Sequence, residues 1–181
     1  MASNKEEGTA QARLPSPRLV STTHARDGTS VFASDETIPA FQPFGPGTSG
    51  FHNFDLRPTL PANNNTGAAA PPSALASTFP RCAPGGAYFG VTDVPPSYSA
   101  PMHRTLSLDY AVVLSGEIVC VLDGGEEKTI SRGEFIVQRG TNHQWVNRSQ
   151  TEVARILFVM VGAEKVVLED GRGLEETVFK R

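Results

Sequence analysis

Between residues 87 and 161 the chain is cut into short β-rich runs by closely spaced turn residues, and this rhythm limits the fold more than any other feature. The runs are 87–94, 105–114, 117–122, 127–130, 134–138, 143–147 and 153–161, with Pro95-Pro96, Asp123-Gly124-Gly125 and Ser131-Arg132-Gly133 between some of them. No helical period of useful length precedes Gly162. Many short strands at regular spacing predict an all-β sandwich or barrel. Residues 155–161 are almost continuously apolar, which predicts a strand buried on both faces. A short helix is expected near the C-terminus, over residues 174–179.

Four segments follow from composition. Residues 1–17 are polar and are expected to be mobile to about residue 13. Residues 18–84 hold N-terminal strands and a Pro/Gly-rich arm. Within them, 18–23 and 29–32 flank Arg26-Asp27-Gly28, a hairpin signal. Phe41, Phe44, Phe51 and Phe54 punctuate the arm, either as anchors onto the barrel or as a lid or partner contact. The tract from Asn63 to Pro72 reads as a flexible loop. Residues 85–162 form the barrel, and 163–181 a C-terminal extension.

With 39% apolar and 19% charged residues and a net charge of −3, the 181-residue chain suits a soluble globular protein. No basic stripe points to nucleic acid and no polybasic cluster to a membrane. No apolar stretch is long enough to span a bilayer, and residues 1–8 do not read as a secretory signal. Cys82 and Cys120 are too few for a disulfide framework; Cys120, in an apolar run, is expected to be buried and inert. A reducing, cytoplasmic setting is therefore expected. His24 and His52 are expected at surface or arm positions.

Two segments carry the chemistry. The first reads Pro101-Met102-His103-Arg104-Thr105-Leu106-Ser107-Leu108-Asp109, then six residues to Gly116. The second runs from Gly133 through Arg139-Gly140-Thr141-Asn142-His143 to Asn147. Together they resemble the paired motifs of the cupin superfamily, G-x5-H-x-H-x3-4-E-x6-G and G-x5-P-x-G-x2-H-x3-N. The resemblance covers residues 85–162 and is closest to small single-domain cupins, among them fungal members of natural-product pathways. It implies a jelly-roll barrel, small-molecule tailoring and a homodimer. The departures are specific. Thr105 replaces the second histidine, Asp109 the glutamate and Ser97 the leading glycine, and the second motif lacks its proline and one residue of spacing.

On a regular strand His103, Thr105, Ser107 and Asp109 share one face, and His143, Trp145 and Asn147 another. If both faces point inward, they meet in a pocket that Gln138 also reaches; Arg104, Tyr110 and Arg139 face away. Three readings stay open. His103, Asp109 and His143 could hold one divalent metal (iron, manganese, nickel or zinc) as a two-histidine, one-carboxylate triad. They could instead work as acids and bases without a metal, with Thr105 beside them, in decarboxylation, dehydration, isomerisation or ring closure. Or the barrel only binds, with Ser107, Gln138, Trp145 and Asn147 as ligand contacts. A lyase or isomerase acting on a polyketide-like or aromatic substrate is favoured, with a metal-dependent dioxygenase as the alternative. No organic cofactor is expected.

Overall fold

The structure, a computed structural model, describes residues 13–65 and 71–177. The expected mobility of the first dozen residues, and the middle of the Asn63–Pro72 tract, lie outside them. The regular structure is almost all strand: β1 (Arg18–His24), β2 (Ser30–Thr37), β3 (Gly50–Arg57), β4 (Ala87–Val94), β5 (Ser107–Ser115), β6 (Glu117–Leu122), β7 (Glu127–Ser131), β8 (Phe135–Arg139), β9 (His143–Val146) and β10 (Ala154–Gly162), with a 3-10 turn at Pro72–Leu75. The strands form a five-stranded sheet, β3-β4-β10-β5-β8, a three-stranded sheet, β7-β6-β9, and the β1-β2 hairpin. All pairings between these strands are antiparallel.

The two larger sheets close on one core. Val94, Ala111, Val113 and Ile156 from the first meet Ile118, Cys120, Ile130 and Trp145 from the second. Each inward residue is two positions from the next, so the alternation that marked the strands also fills the barrel. The outer face of the five-stranded sheet is partly covered over β3, β4 and β10, while Tyr110, Leu114, Phe135 and Val137 of β5 and β8 stay exposed. Val91, Phe89 and Leu157 pack with Phe54, Ile38 and Leu19 of the N-terminal segment. This explains the continuous apolar run of β10, which is buried on its inner face at Ala154, Ile156 and Met160 but, against expectation, only half-buried on the outer face at Leu157, Val159 and Val161. The turn between β5 and β6 is tight because Gly116 takes a φ of 68°, where a Cβ would also press on the Val153 carbonyl oxygen.

Three further expectations need correction. The arm is not a single irregular stretch, because Gly50–Arg57 pairs with β4 as a full member of the main sheet. Phe51 and Phe54 are therefore strand residues, and a boundary at residue 84 would cut through a sheet. No helix forms at residues 174–177; Leu174 N donates to Val166 O and Thr177 N to Arg104 O, tying the segment across the barrel, while the remainder of the expected helix lies outside the described residues. Of the surface or arm positions expected for His52, the arm is the one found, and the surface alternative is corrected, since the residue is 2% exposed. Its Nδ1 lies 2.8 Å from the Ile38 carbonyl oxygen and its Nε2 3.2 Å from Asp93, which Arg155 grips with two bonds of 2.6 and 2.7 Å. This buried network fastens the arm to β4 and β10.

Candidate active site

The backbone itself brings the two histidines together. His103 N donates to His143 O and His143 N to His103 O, both at 2.8 Å, an isolated antiparallel bridge ahead of β5 and at the start of β9. Directly bridged residues place their side chains on one face. The imidazole centroids are accordingly 4.4 Å apart, tilted by 49°. His103 and Thr105 precede β5 rather than lying within it, so this bridge, not strand alternation, aims His103.

Hydrogen bonds set the protonation pattern. A carbonyl oxygen only accepts, so His103 Nδ1, 2.8 Å from Pro101 O, carries the proton and the neutral ring presents its lone pair at Nε2. His143 Nδ1 lies 3.0 Å from Thr141 O and 2.6 Å from Gln138 Nε2, neighbours with opposite demands. The Gln138 amide nitrogen is also 3.3 Å from His143 Nε2, so it can donate to whichever ring nitrogen lacks a proton. Gln138 Oε1 is fixed by Gly140 N at 2.7 Å. Gln138 is thus a positioning residue behind His143.

The carboxyl has its own hydroxyl partner. Ser107 Oγ lies 2.6 Å from Asp109 Oδ1 and 2.9 Å from Thr105 Oγ1. The Ser107 hydroxyl is the donor in both contacts, with the Asp109 carboxylate as the stronger acceptor and the Thr105 oxygen as the weaker one. Burial of Asp109, 4% exposed, raises its pKa to about 6 against the pull of Ser107 and of the Arg81 charge. Burial lowers His143 to about 4, helped by the nearby His103 and Arg81 and opposed by Thr141. His103 is lowered for the same first reason, burial. At neutral pH the site therefore holds two neutral imidazoles and a carboxyl titrating one unit below the solvent.

The pocket around them is mostly apolar. Its walls include Trp145, Ile156, Phe158 and Met160 from the strands and Phe44, Phe51 and Phe79 at the mouth. Trp145 meets His143 edge-on at 5.4 Å and Phe158 at 5.8 Å. Phe79 packs against Phe44 at 5.6 Å and Phe51 at 5.9 Å, so aromatic residues of the N-terminal half close over the site. The cavity is about 90 Å³, less than the ~150 Å³ of an engineered cavity that admits benzene, so an aromatic ring enters only if Phe44, Phe51 or Phe79 moves aside.

Of the residues singled out from sequence, His103, Thr105, Asp109, His143 and Trp145 line the pocket, with Ser107 and Gln138 just behind. Asn147 does not reach it. β9 ends at Val146, and the Asn147 amide is committed to Val94 O at 2.9 Å, Glu152 O at 2.8 Å and Ser149 N at 3.0 Å. The sequence reading missed Arg81, which lines the pocket from a Pro-rich stretch without strand pattern. It also missed Tyr88, whose hydroxyl donates to Asn53 Oδ1 at 2.7 Å beneath the cavity. A Cβ at Gly90 would strike that hydroxyl, so a glycine is needed there. Among the described residues, no three His, Cys, Asp or Glu side chains gather in a group able to hold a metal ion. His103, Asp109 and His143 thus do not fit the facial triad in this arrangement, and no step below runs through a metal.

The model of the Cupin domain family matches residues 90–162, the strands that carry this site. The chain is 37% identical to Phomopsin biosynthesis cluster protein C′ of Diaporthe leptostromiformis, over 96% of each chain. It is 33% identical to Oryzines biosynthesis cluster protein J of Aspergillus oryzae, over 87% of this chain and 88% of that one. A cupin-domain-containing oxidoreductase, virC of Hypocrea virens, is 36% identical over 47% of this chain and 45% of its own. Similarity that runs nearly end to end, with the family match centred on the barrel, shows that this chain belongs to the cupin family, alongside cupins of fungal biosynthesis clusters.

Proposed function

We propose that this cupin is a tailoring enzyme of small-molecule biosynthesis that moves protons on a hydrophobic, oxygenated substrate of polyketide-like or aromatic type, as a lyase or isomerase. The observation that carries the reading is the pairing of two neutral, facing imidazoles with a buried carboxyl at about 6 inside an aromatic pocket. Ionisable groups tuned away from their ordinary values in a cleft are the usual mark of acid–base catalysis. The names of the phomopsin and oryzines cluster relatives support the biosynthetic setting.

His103 is the base: its Nε2 lone pair takes a proton from a carbon or hydroxyl next to a substrate carbonyl. Two charged imidazoles 4.4 Å apart would repel, so His143 stays neutral while His103 holds that proton. Asp109, held by Ser107, returns a proton elsewhere on the substrate from its protonated form, about a tenth of the molecules at pH 7, and is recharged from solvent. The aromatic mouth excludes water that would compete for the proton.

The test uses 2-tetralone in deuterium oxide as a generic carbon acid. The protein should speed deuterium uptake at the carbon next to the carbonyl by about a hundredfold or more over buffer, before and after treatment with a chelator. His103→Gln and Asp109→Asn should each remove most of that gain. Uptake at the buffer rate, or uptake that survives His103→Gln, would overturn the proposal. A second reading, oxidation of the substrate, is favoured by the oxidoreductase names of relatives matched along less than half of their length; it predicts oxygen consumption that follows product formation one to one.

A further inference from the structure

Arg81 places a fixed positive charge in the wall of a mostly apolar pocket. It is the only Lys or Arg among the described residues that line the pocket, on the same wall as Phe79, with its guanidinium carbon 5.2 Å from that ring's centre. Its acidic partner lies elsewhere. Glu176 Oε1 accepts from Arg81 Nε at 3.0 Å, yet Glu176 is not a lining residue and belongs to the C-terminal strap. That strap is tied back to the barrel at Arg104, whose N lies 2.9 Å from Thr177 Oγ1. Arg81 is 25% exposed and Glu176 37%. The cation therefore faces the cavity while its counter-charge sits on the half-buried C-terminal strap, outside the residues that line the pocket. Burial disfavours the charged guanidinium, with Glu176 and Asp109 as the opposing influences.

Taking the pocket as the substrate site, as proposed above, we infer that Arg81 is its anion-recognition residue and that the molecule bound is an aromatic acid. The ring lies among Phe44, Phe51 and Phe79, and the carboxylate takes the place of Glu176 on the guanidinium. A planar guanidinium stacked on an aromatic ring suits this task, because it pairs with a carboxylate in two parallel bonds while its face stays against the ring. Exchange of one carboxylate for another conserves charge, so binding does not strand Arg81 in the apolar wall. It also releases the C-terminal strap from Arg81, which couples occupancy of the pocket to the position of that segment.

The chain has one tryptophan, and it is Trp145, 7% exposed in the wall of this pocket, so intrinsic fluorescence reports occupancy. The probes are 3-phenylpropanoate and its neutral isostere 3-phenylpropanamide, titrated at pH 7.5. The acid should bind at least about tenfold more tightly than the amide, the size of one charge-assisted contact. Arg81→Gln should erase that preference and leave amide binding nearly unchanged. Glu176→Gln, a change at a half-buried position outside the pocket lining, should tighten acid binding by removing the internal competitor. Equal binding of acid and amide, a preference that survives Arg81→Gln, or no response of Trp145 to either probe would overturn the inference. Should Arg81→Gln fail to fold by circular dichroism, Glu176→Gln decides alone, and unchanged or weaker acid binding refutes the exchange. No turnover enters these titrations. Failure here leaves the deuterium-exchange result standing, and failure of exchange leaves the charge preference intact.

Discussion

Asp109 and His143 should pull the pH dependence of stability in opposite directions, and single substitutions should expose each pull. Burial raises Asp109 from 3.8 to about 6, so the folded chain holds that proton more tightly than the unfolded one. Its contribution is full below 3.8 and is lost as pH climbs to about 6. His143 is lowered from 6.5 to about 4, so here the unfolded chain binds the proton more tightly. Its contribution is absent at low pH and is gained as pH climbs from about 4 to 6.5. Each displacement spans about two pH units, worth ~3 kcal/mol at 1.36 kcal/mol per unit. The windows nearly coincide, so in the natural protein the two slopes largely cancel. Asp109→Asn keeps an oxygen for Ser107 and removes only the falling limb. It should be more stable than the natural protein by ~3 kcal/mol at pH 8, and its stability relative to the natural protein should climb by about that amount between pH 4 and 7. His143→Gln should show the reverse tilt. Urea unfolding followed by Trp145 fluorescence from pH 4 to 8 measures both. Asp93 also titrates at the acid end, its burial being outweighed by Arg155 and His52 so that its pKa falls, but it is common to all three proteins. Variant curves parallel to the natural one, or an Asp109→Asn protein no more stable at pH 8, would refute the placement of these groups in a dry pocket.

Further outcomes follow from the rest of the structure. Asn147→Ala strands the Val94 and Glu152 carbonyls, and should lower the unfolding free energy by ~2–4 kcal/mol in urea without altering deuterium exchange on 2-tetralone. Asp93→Ala leaves Arg155 and His52 without their shared carboxylate; a loss of ~3–5 kcal/mol should appear as a lower melting temperature. Phe79→Ala removes the ring on which Phe44 and Phe51 rest, and acrylamide should then quench Trp145 more strongly than in the natural protein; unchanged quenching would mean that these rings do not close the site.

The barrel was legible because each strand is short, alternates with period two and is bounded by turn residues. β3 escaped notice because its register shifts between Asn53 and Asp55, which breaks that period inside a Pro- and Gly-rich stretch. His103 and His143 were placed correctly, although the reason is a backbone bridge that joins residues forty apart in sequence. Asn147 was misplaced because β9 ends one residue earlier, where alternation no longer aims a side chain. Arg81 and His52 left no local signal. Each gains its meaning from distant partners, Glu176 and the pocket for one, Asp93 and Ile38 for the other. Over residues 174–177 the local helical pattern gives way to tertiary backbone bonds with Val166 and Arg104.

A nitrogen-15 NMR pH titration of histidine-labelled protein tests the acid–base pocket most directly, since the chain has only four histidines. His143 should stay neutral down to a pH of about 4, and neutral His103 should carry its proton on Nδ1, as its bond to Pro101 requires. An imidazolium at either position above pH 6.5, or a His103 ring protonated on Nε2 when neutral, would contradict the assignment of His103 as the base.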